Sequence, residues 1–557
     1  MGRIRLQVII TLLTIALLVA GMGYLAFSIT TVTVPDFGGT FTEGLAGNPH
    51  AINPLLSQAN PVDQDLVSLI FSGLTRINEK GEIVPDLAER WEIARNGTVY
   101  TFYLRQGVVW HDGAPFTADD VVFTIGVVKN PDFQGFPYLS DLWRTVVVEP
   151  VDTYTVRFVL REPFAPFMEY TTIGILPAHI LGSASIADLS ESKFNASPVG
   201  TGPFKVAEVS ARRIVLAANP DFYRSRPYLD RLEFFFYPND ASVYEARKRG
   251  DVAGVARVLP EHLASIRADK AMNLYSAPLS GYNLVYLNLD RGIFQDVAVR
   301  QAMMWALDRQ KLVDEILDGQ GVVISSPILP SSWAYDPTGT QFRRDLRKAK
   351  DLLEEAGWFD NNGDGVRERG ELKLEFTLAT NEDDPTRVAL IEAIGRQLAE
   401  VGIRVTPQTV SWEELVSQML KLRRYDAVLS GWQNLPADPD PYPYWHSSQA
   451  NEDGLNFANY ISEEADRLLE NARSTEDREA RIEYYRRFQE VFARDVPSLL
   501  LYQPVYNYAV DAQVQNVQLG PMFSSADRFR TISSWYIATQ RLLYSEAKER
   551  GLNVRPR

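Results

Sequence analysis

"LKLEFTLATNEDDPTRVALIEAIGRQLAEVGIRVTPQTVSWEELVSQMLKLRRYDAVLSGW", residues 372–432, alternates between segments typical of strands and segments typical of helices. The pattern predicts strands over 372–379, 403–410 and 425–432, with helices over 387–402 and 413–422 between them. Strands and helices in this order form βαβ units with a largely parallel sheet. Ligands of such sheets bind beyond the carboxyl ends of the strands. The sequence therefore predicts a binding site next to Trp432, where the last strand ends.

Outside this region the chain also contains segments with the periodicity of helices and segments with the periodicity of strands. The predicted elements are a helix over 61–74, strands over 98–105 and 152–161, a helix opened by a capping box of Thr117 and Asp120, a hairpin over 204–220, one long amphipathic helix over 299–317, helices over 464–474 and 478–495, and a strand over 498–510. The charged tail after Tyr536 is either helical or disordered. The chain is therefore of the α/β class.

Composition limits the classes of function. A chain of 557 residues exceeds what one hydrophobic core usually supports, so we expect two or more lobes. The net charge of −15 and the absence of a basic stripe exclude nucleic acid as a partner. The chain has no cysteine, which excludes disulfides, thiol catalysis and thiolate metal sites.

The N-terminus is predicted to be a membrane segment. Arg3 and Arg5 precede residues 6–29, which carry no charge. A spanning helix needs about 20 apolar residues, whereas the apolar part of a signal peptide has about 7–15. Residues 18–20 make only a weak cleavage site, so we favour an uncleaved anchor over a cleaved signal. The two arginines place the N-terminus inside and the remaining chain on the outer face of the cytoplasmic membrane.

Motifs of catalysis are missing from the sequence. There is no G-x-S-x-G, H-E-x-x-H, P-loop or G-x-G-x-x-G motif, and the five histidines are scattered without ligand spacing. We therefore predict that the protein is not an enzyme and needs no cofactor.

The stretch "DNNGDGVRERGE", residues 360–371, fits the calcium-loop pattern D-x-[DN]-x-[DN]-G-x5-E. Its candidate ligands are Asp360, Asn362, Asp364 and Glu371. A helix precedes the loop but a strand follows it, so the second helix of an EF-hand is absent. Two alternatives remain, which are a structural Ca²⁺ ion and a metal-free turn rich in Asn, Asp and Gly.

Five stretches resemble a known family. They are residues 85–125 ("PDLAERW…DDVVFTI"), 198–206 ("PVGTGPFKV"), 294–317, 349–365 and 431–442 ("GWQNLPADPDPY"). Together they resemble the bacterial extracellular solute-binding proteins of family 5, which are the periplasmic oligopeptide-, dipeptide- and nickel-binding components of ABC importers. The resemblance covers residues from about 40 to about 510.

The resemblance implies a two-lobed, periplasmic-binding-protein-like fold of type II, with an additional inserted domain and a hinge between the lobes. The implied division is 1–35 for the N-terminal transmembrane anchor (or signal) and linker, 36–80, 201–282 and 503–536 for lobe I, 81–200 for the inserted domain, 283–502 for lobe II, and 537–557 for the C-terminal tail. The chain would cross between the lobes near 282–290 and 496–505. Hinge closure would bury a solute, and the importer's permease subunits would recognise the closed form of a monomer.

The resemblance also suggests which residues contact the solute. The candidates are Thr42, Glu43, Gly44, Tyr282, Asn283, Trp333, Trp432, Gln433, Asn434, Asp438, Asp440, Tyr442 and Trp445. Core packing is the alternative role for Trp432, and turn formation is the alternative for Asp438 and Asp440.

Position 435 departs from the family's pattern. In the peptide binders, an aspartate three residues after this tryptophan receives the peptide's α-ammonium group, but this chain has Leu435. Either Asp438 or Glu43 takes over, or the ligand has no such ammonium group. A peptide is the first candidate, and an oligosaccharide stacked on Trp432, Trp445 or Trp333 is the second. A nickel chelate, a sensory role beside a membrane receptor and a membrane-anchored hydrolase remain as further alternatives.

Overall fold

The computed structural model describes residues 2–135 and 137–550. The α-helices are Gly2–Thr30, Pro61–Ile70, Ala118–Lys129, Pro137–Thr145, Phe167–Tyr170, Ala178–Leu181, Asp240–Arg249, Pro260–Ala268, Gly292–Gln295, Val297–Ala306, Arg309–Ile316, Leu346–Glu355, Pro385–Ala399, Trp412–Glu414, Tyr442–Trp445, Glu463–Ser474, Arg478–Asp495 and Tyr544–Glu549. The strands are Thr31–Pro35, Thr40–Ala46, Thr75–Ile77, Ile83–Pro85, Ala88–Ala94, Val99–Leu104, Val147–Asp152, Thr155–Val159, Phe204–Val209, Arg213–Ala218, Arg231–Tyr237, Gly254–Val255, Met272–Pro278, Gly281–Leu287, Gly321–Val323, Glu368–Arg369, Leu372–Lys373, Glu375–Asn381, Arg404–Val410, Ala427–Gln433, Ser498–Asp511 and Thr539–Leu543.

The second half of the chain contains the predicted βαβ units. Strand Glu375–Asn381 pairs in parallel with both Arg404–Val410 and Ala427–Gln433. The sheet then continues through Gly281–Leu287 and Ser498–Asp511, which pair antiparallel. The sheet is thus parallel over the segment that decides the fold class and mixed beyond it.

Its central strands are buried on both faces. Along strand Gly281–Leu287, Leu284 and Tyr286 pack into one apolar cluster, whereas Val285 and Leu287 pack into a second cluster on the opposite side. Successive side chains of a strand point to opposite faces, so an unbroken apolar run is what a doubly covered strand requires. This packing holds lobe II together as helix, sheet and helix layers.

One long strand belongs to both lobes. The first part of Ser498–Asp511 pairs with Gly281–Leu287, and its last part pairs with Met272–Pro278. The backbone N–H of Leu279 donates to the carbonyl of Pro504 at 2.8 Å, between these two pairings. Two chain segments therefore run side by side from one lobe to the other, at 278–281 and 502–505. This is the geometry of a two-stranded hinge.

The first lobe is built around Thr40–Ala46, which pairs in parallel with Arg231–Tyr237. A separate four-stranded antiparallel sheet, in the order 88–94, 99–104, 155–159 and 147–152, lies within residues 81–200. One continuous apolar cluster links Phe41 and Trp535 of the lobe to Phe102 and Trp143 of this insertion. The exact domain boundaries stay a prediction.

Three predicted elements differ from the structure. The helix expected over 413–422 is the short α-helix Trp412–Glu414 followed by a π-helical segment over Leu415–Leu420. The helix expected over 299–317 is two helices, because the Asp308 side chain accepts the backbone N–H of Lys311 and caps a new helix. The tail contains the strand Thr539–Leu543, which pairs antiparallel with Thr31–Pro35, and then the helix Tyr544–Glu549. Residues 551–557 of the tail lie outside the described residues.

The N-terminal helix Gly2–Thr30 exposes its apolar side chains from Val8 to Met22. Among the helices in the described part of the chain, none combines the length and hydropathy needed to cross a membrane. The predicted anchor is therefore not confirmed.

Candidate functional site

A cavity of about 710 Å³ lies between the lobes at the hinge. Residues 80–84 form one wall, Ser280 and Tyr282 lie at the hinge, and the loop 435–441 forms part of the other wall. That loop follows strand Ala427–Gln433, so the cavity lies beyond the carboxyl end of a strand in the parallel segment. Its volume is within the range of roughly 300–1,000 Å³ usual for small-ligand sites.

Four of the candidate residues line this cavity, namely Tyr282, Trp333, Asp438 and Asp440. Leu435 lines it as well, at the position that departs from the family's pattern. These five residues come from the hinge and from two loops of lobe II, so the fold brings together parts of the chain that are 158 positions apart (282 to 440). Their role in binding stays a prediction.

The tryptophans after the strand have neighbours of their own. Trp432 stacks on Phe457 with 5.5 Å between ring centroids and contacts Tyr444 at 4.4 Å. Trp445 is only 1% exposed and meets Phe492 edge-on, which is core packing. Both tryptophans are thus packed against other aromatic side chains of the protein, as the alternative role for Trp432 expected.

The remaining lobe II candidates lie around these two tryptophans. Tyr442 stacks on His446 with a centroid distance of 4.0 Å. Gln433 and Asn434 are exposed, and Asn434 has the left-handed backbone conformation, with a φ of 55°. Asn283 at the hinge accepts a hydrogen bond from Arg387 at 3.4 Å.

The candidates of the first strand face the interior of lobe I. The Thr42 hydroxyl accepts the backbone N–H of Ala253 at 2.9 Å. A Cβ on Gly44 would lie 2.6 Å from Val243 Cγ1, so the packing of a neighbouring helix already explains this glycine.

Glu43 is fully buried in an ionic cluster. Its Oε1 accepts from Arg528 Nη2 at 2.7 Å, and Asp65 Oδ2 accepts from the same nitrogen at 2.6 Å. The Tyr508 hydroxyl donates to Glu43 Oε2 at 2.5 Å. Burial raises the pKa of Glu43, and the Arg528 charge opposes that rise. Because its oxygens are already occupied, Glu43 is poorly placed to receive a ligand's ammonium group.

The acidic residues of the cavity loop are also paired. Arg481 Nη1 donates to Asp438 Oδ2 at 2.9 Å, and Arg473 Nη2 donates to Asp440 Oδ2 at 2.8 Å. Burial raises the pKa of Asp440, while Arg473 acts in the opposite direction. The loop thus reaches the cavity with both of its carboxylates neutralised.

Glu169, which nothing in the sequence singled out, contacts the loop that lines the cavity. It lies on helix Phe167–Tyr170 of the inserted domain, and its carboxylate accepts the backbone N–H groups of Ala437 at 3.2 Å and Asp438 at 3.3 Å. These hydrogen bonds join the inserted domain to the cavity loop of lobe II. Burial raises the pKa of Glu169 to about 7.

Gly97 makes a second contact across the same boundary. A Cβ on Gly97 would lie 2.1 Å from Glu476 Oε1, and Glu476 lines the cavity. The backbone N–H of Ala165 also donates to the carbonyl of Arg473 at 2.8 Å. The inserted domain is therefore closed against lobe II next to the cavity.

The calcium-like loop brings together a different set of carboxylates from the predicted one. Oxygens of Asp360, Asp364 and Glu368 lie within 4.8 Å of one another. Glu368 replaces Glu371 in this group, because Glu368–Arg369 pairs with Leu372–Lys373 and leaves Glu371 exposed at the turn between them. Lys373 Nζ already pairs with Asp364 at 2.8 Å.

Two lobes that are joined by paired hinge segments and enclose a cavity define a solute-binding protein. The model of the family "Bacterial extracellular solute-binding proteins, family 5 Middle" matches residues 82–454. The chain belongs to this family, whose members are extracellular or periplasmic, and is a solute-binding component of an ABC importer.

Individual relatives are similar over nearly the whole chain. The oligopeptide-binding protein AppA of Bacillus subtilis is 34% identical over 513 residues, covering 90% of this chain and 92% of AppA. The dipeptide-binding protein of Escherichia coli K12 is 29% identical, covering 91% of this chain and 98% of its own length. The structure of B. subtilis AppA with a nonapeptide matches with a TM-score of 0.71 and 33% identity, over 91% of this chain and 100% of that one. NikZ of Campylobacter jejuni with Ni(L-His) matches with a TM-score of 0.72 and 28% identity, over 89% and 99% of the two chains.

Proposed function

We propose that this protein captures a peptide between its lobes and delivers it to the permease of an ABC importer. The observation that carries the proposal is the cavity at the hinge, which is lined by both lobes and lies next to the interdomain contacts of Glu169. The relatives named as oligopeptide- and dipeptide-binding proteins match along the whole fold and support a peptide as the solute. A single chain completes the cavity, so we expect a monomer to bind.

Direct binding tests this function. The protein without its N-terminal helix is purified, co-purified ligand is identified by mass spectrometry, and a peptide library is screened by thermal shift and calorimetry. The variant Ser331→Trp fills the cavity from an exposed lining position, and Ser183→Trp makes the same change on an exposed part of the inserted domain. We expect only Ser331→Trp to abolish binding. If no peptide raises the melting temperature of the parent protein, the proposed solute is wrong.

The proposal includes no chemistry on the ligand. Peptides recovered after prolonged incubation should have unchanged masses, whereas fragments would favour the hydrolase alternative. Deletion of the gene should abolish uptake of the bound peptide. Intact uptake together with a lost transcriptional response would favour a sensory role instead.

An oligosaccharide is not supported as the solute. Stacking on a sugar needs an open aromatic face. Trp445 lies in the core, Trp432 is covered by Phe457 and Tyr444, and Trp333 lies beneath guanidinium groups. The aromatic platforms that the sequence suggested are thus occupied by the protein itself.

We place the protein on the outer face of the membrane and propose that the helix Gly2–Thr30 retains it there. The exposed apolar side chains between Val8 and Met22 support retention. Membrane fractionation tests it, with a version that starts at Thr31 as the control. A mature N-terminus beyond residue 20, found by sequencing, would identify a cleaved signal.

A further inference from the structure

Leu435 presents an apolar surface to the cavity at the hinge. Its backbone N–H donates to the carbonyl of Ser280 at 3.2 Å, and its carbonyl accepts from the Ser280 hydroxyl at 2.9 Å. These two hydrogen bonds fix the residue next to the hinge, where it lines the cavity. An ammonium group placed there would lose water without gaining a counter-charge, which is costly.

The loop beyond Leu435 supplies no free negative charge either. Asp438 is paired with Arg481 and Asp440 with Arg473. Separating a buried ion pair leaves an uncompensated charge, which is strongly unfavourable. A ligand's ammonium group is therefore a poor competitor for these carboxylates.

Arg478 is different, because it lines the cavity without a counter-charge. Its guanidinium carbon lies 5.0 Å from the centroid of the Trp333 ring. Arg481 lies at 4.9 Å from the same ring, but its donors are used by Asp438. Within the described part of the chain, no carboxylate forms a salt bridge with Arg478. Stacking orients the guanidinium plane and leaves its N–H donors for another partner.

The other unpaired charges of the cavity do not cancel this feature. Glu476 is directed at Gly97 of the inserted domain. Lys80 and Glu82 lie together on the opposite wall and contribute one charge of each sign. The lobe II wall thus combines an apolar patch at Leu435, two neutralised carboxylates, the Glu476 carboxylate at the border with the inserted domain, and one guanidinium with free donors.

We propose that Arg478 is a specificity-determining residue that binds a carboxylate of the captured peptide. This inference rests on the proposed peptide-binding function and deepens it, since it names the charged group that the site reads. The carboxylate is either the C-terminus or an Asp or Glu side chain, because both present the same planar anion to a guanidinium.

The test measures how tightly different pentapeptide libraries bind to the protein without its N-terminal helix. One library has free C-termini, a second has C-terminal amides, and each is prepared with and without Asp and Glu. Calorimetry and competition measure the dissociation constants for the parent protein and for Arg478→Gln, Arg478→Lys and Arg487→Gln. Arg487 is exposed on the same helix, and Arg487→Gln removes the same charge as Arg478→Gln, so this variant is the matched control.

We expect the parent protein to bind peptides that carry a carboxylate with a dissociation constant at least tenfold lower than for the amidated library without Asp and Glu. Arg478→Gln should remove that preference, Arg478→Lys should restore part of it, and Arg487→Gln should leave it unchanged. Loss of the preference on amidation assigns the C-terminus, whereas loss on omission of Asp and Glu assigns a side chain. Peptide binding that is unaffected by Arg478→Gln overturns the inference and leaves the proposed function standing. Failure of every library with the parent protein overturns the proposed function as well.

Discussion

Glu169 should make peptide binding depend on pH. In the closed structure Glu169 is half-buried, and burial raises the pKa of its carboxyl from the ordinary value of 4.5 to about 7. Separation of the lobes breaks its hydrogen bonds to Ala437 and Asp438 and returns the carboxyl to water. Because the pKa is higher in the closed state, closure takes up a proton. Proton uptake therefore stabilises the closed state most at low pH, and this stabilisation is lost as the pH rises through 7.

The size of the effect follows from these two pKa values. For one carboxyl with pKa values of 4.5 open and about 7 closed, proton linkage weakens closure by up to about 2 kcal/mol between pH 5.5 and 8.5. Glu169 is half-buried as a residue, and contact with water reduces this effect. We expect the dissociation constant to rise about tenfold over this pH range, which corresponds to ~1.4 kcal/mol.

Calorimetry of the tightest peptide from the screen, at pH 5.5, 7.0 and 8.5, measures the effect. Glu169→Gln should flatten the profile, because an amide does not titrate in this range. Glu162→Gln removes a carboxyl from an exposed position of the same segment and should keep the parent profile. Asp438 and Asp527 face Glu169, but each is paired with an arginine, Arg481 and Arg530 respectively. A parent profile that is flat, or a slope that persists in Glu169→Gln, refutes the reasoning.

Three further predictions concern other contacts. Gly97→Ala should weaken peptide binding severalfold more than Gly107→Ala, because both glycines have a positive φ but only the first Cβ meets Glu476; the excess should disappear when Glu476→Ala is added. Arg528→Met should lower the free energy of unfolding by about 3–5 kcal/mol, measured with denaturant, because two buried carboxylates lose their counter-charge; the loss should be smaller at pH 4, where protonation relieves them, and an equal loss at pH 4 and 8 would contradict this. Melting with Ca²⁺ and with EGTA should give the same midpoint if loop 360–368 is a metal-free turn, and a midpoint raised by Ca²⁺ would assign the ion instead.

Sequence patterns predicted those helices and strands whose boundaries depend on residues within or next to the element. The helix expected over 478–495 is observed at Arg478–Asp495, because Asp477 caps its start by accepting two backbone N–H groups. The strand expected over 498–510 is observed at Ser498–Asp511. Periodicity alone failed at Asp308, where a capping aspartate inside an apolar pattern starts a new helix.

Contacts between distant segments were beyond the reach of the sequence. Glu43 and Arg528 are 485 positions apart, so the ion pair that engages Glu43 has no local signal. Glu169 likewise meets Ala437 and Asp438 across 268 and 269 positions of the chain. Candidate residues chosen by resemblance therefore included side chains that the interior of the protein already uses.

Position 435 explains why recognition should shift to the other end of the ligand. An aspartate there would offer a carboxylate to a peptide's ammonium group, whereas Leu435 offers none. Neither Asp438 nor Glu43 can replace such an aspartate. If either carboxylate bound the ligand's ammonium group, its partner, Arg481 or Arg528, would be left buried without a counter-charge. A bound peptide thus meets an apolar surface at Leu435 and finds its free counter-charge at Arg478, on the same wall. Selection by an anionic group is the consequence of this distribution of charge, and it leaves the ammonium end of the peptide a minor contributor to affinity.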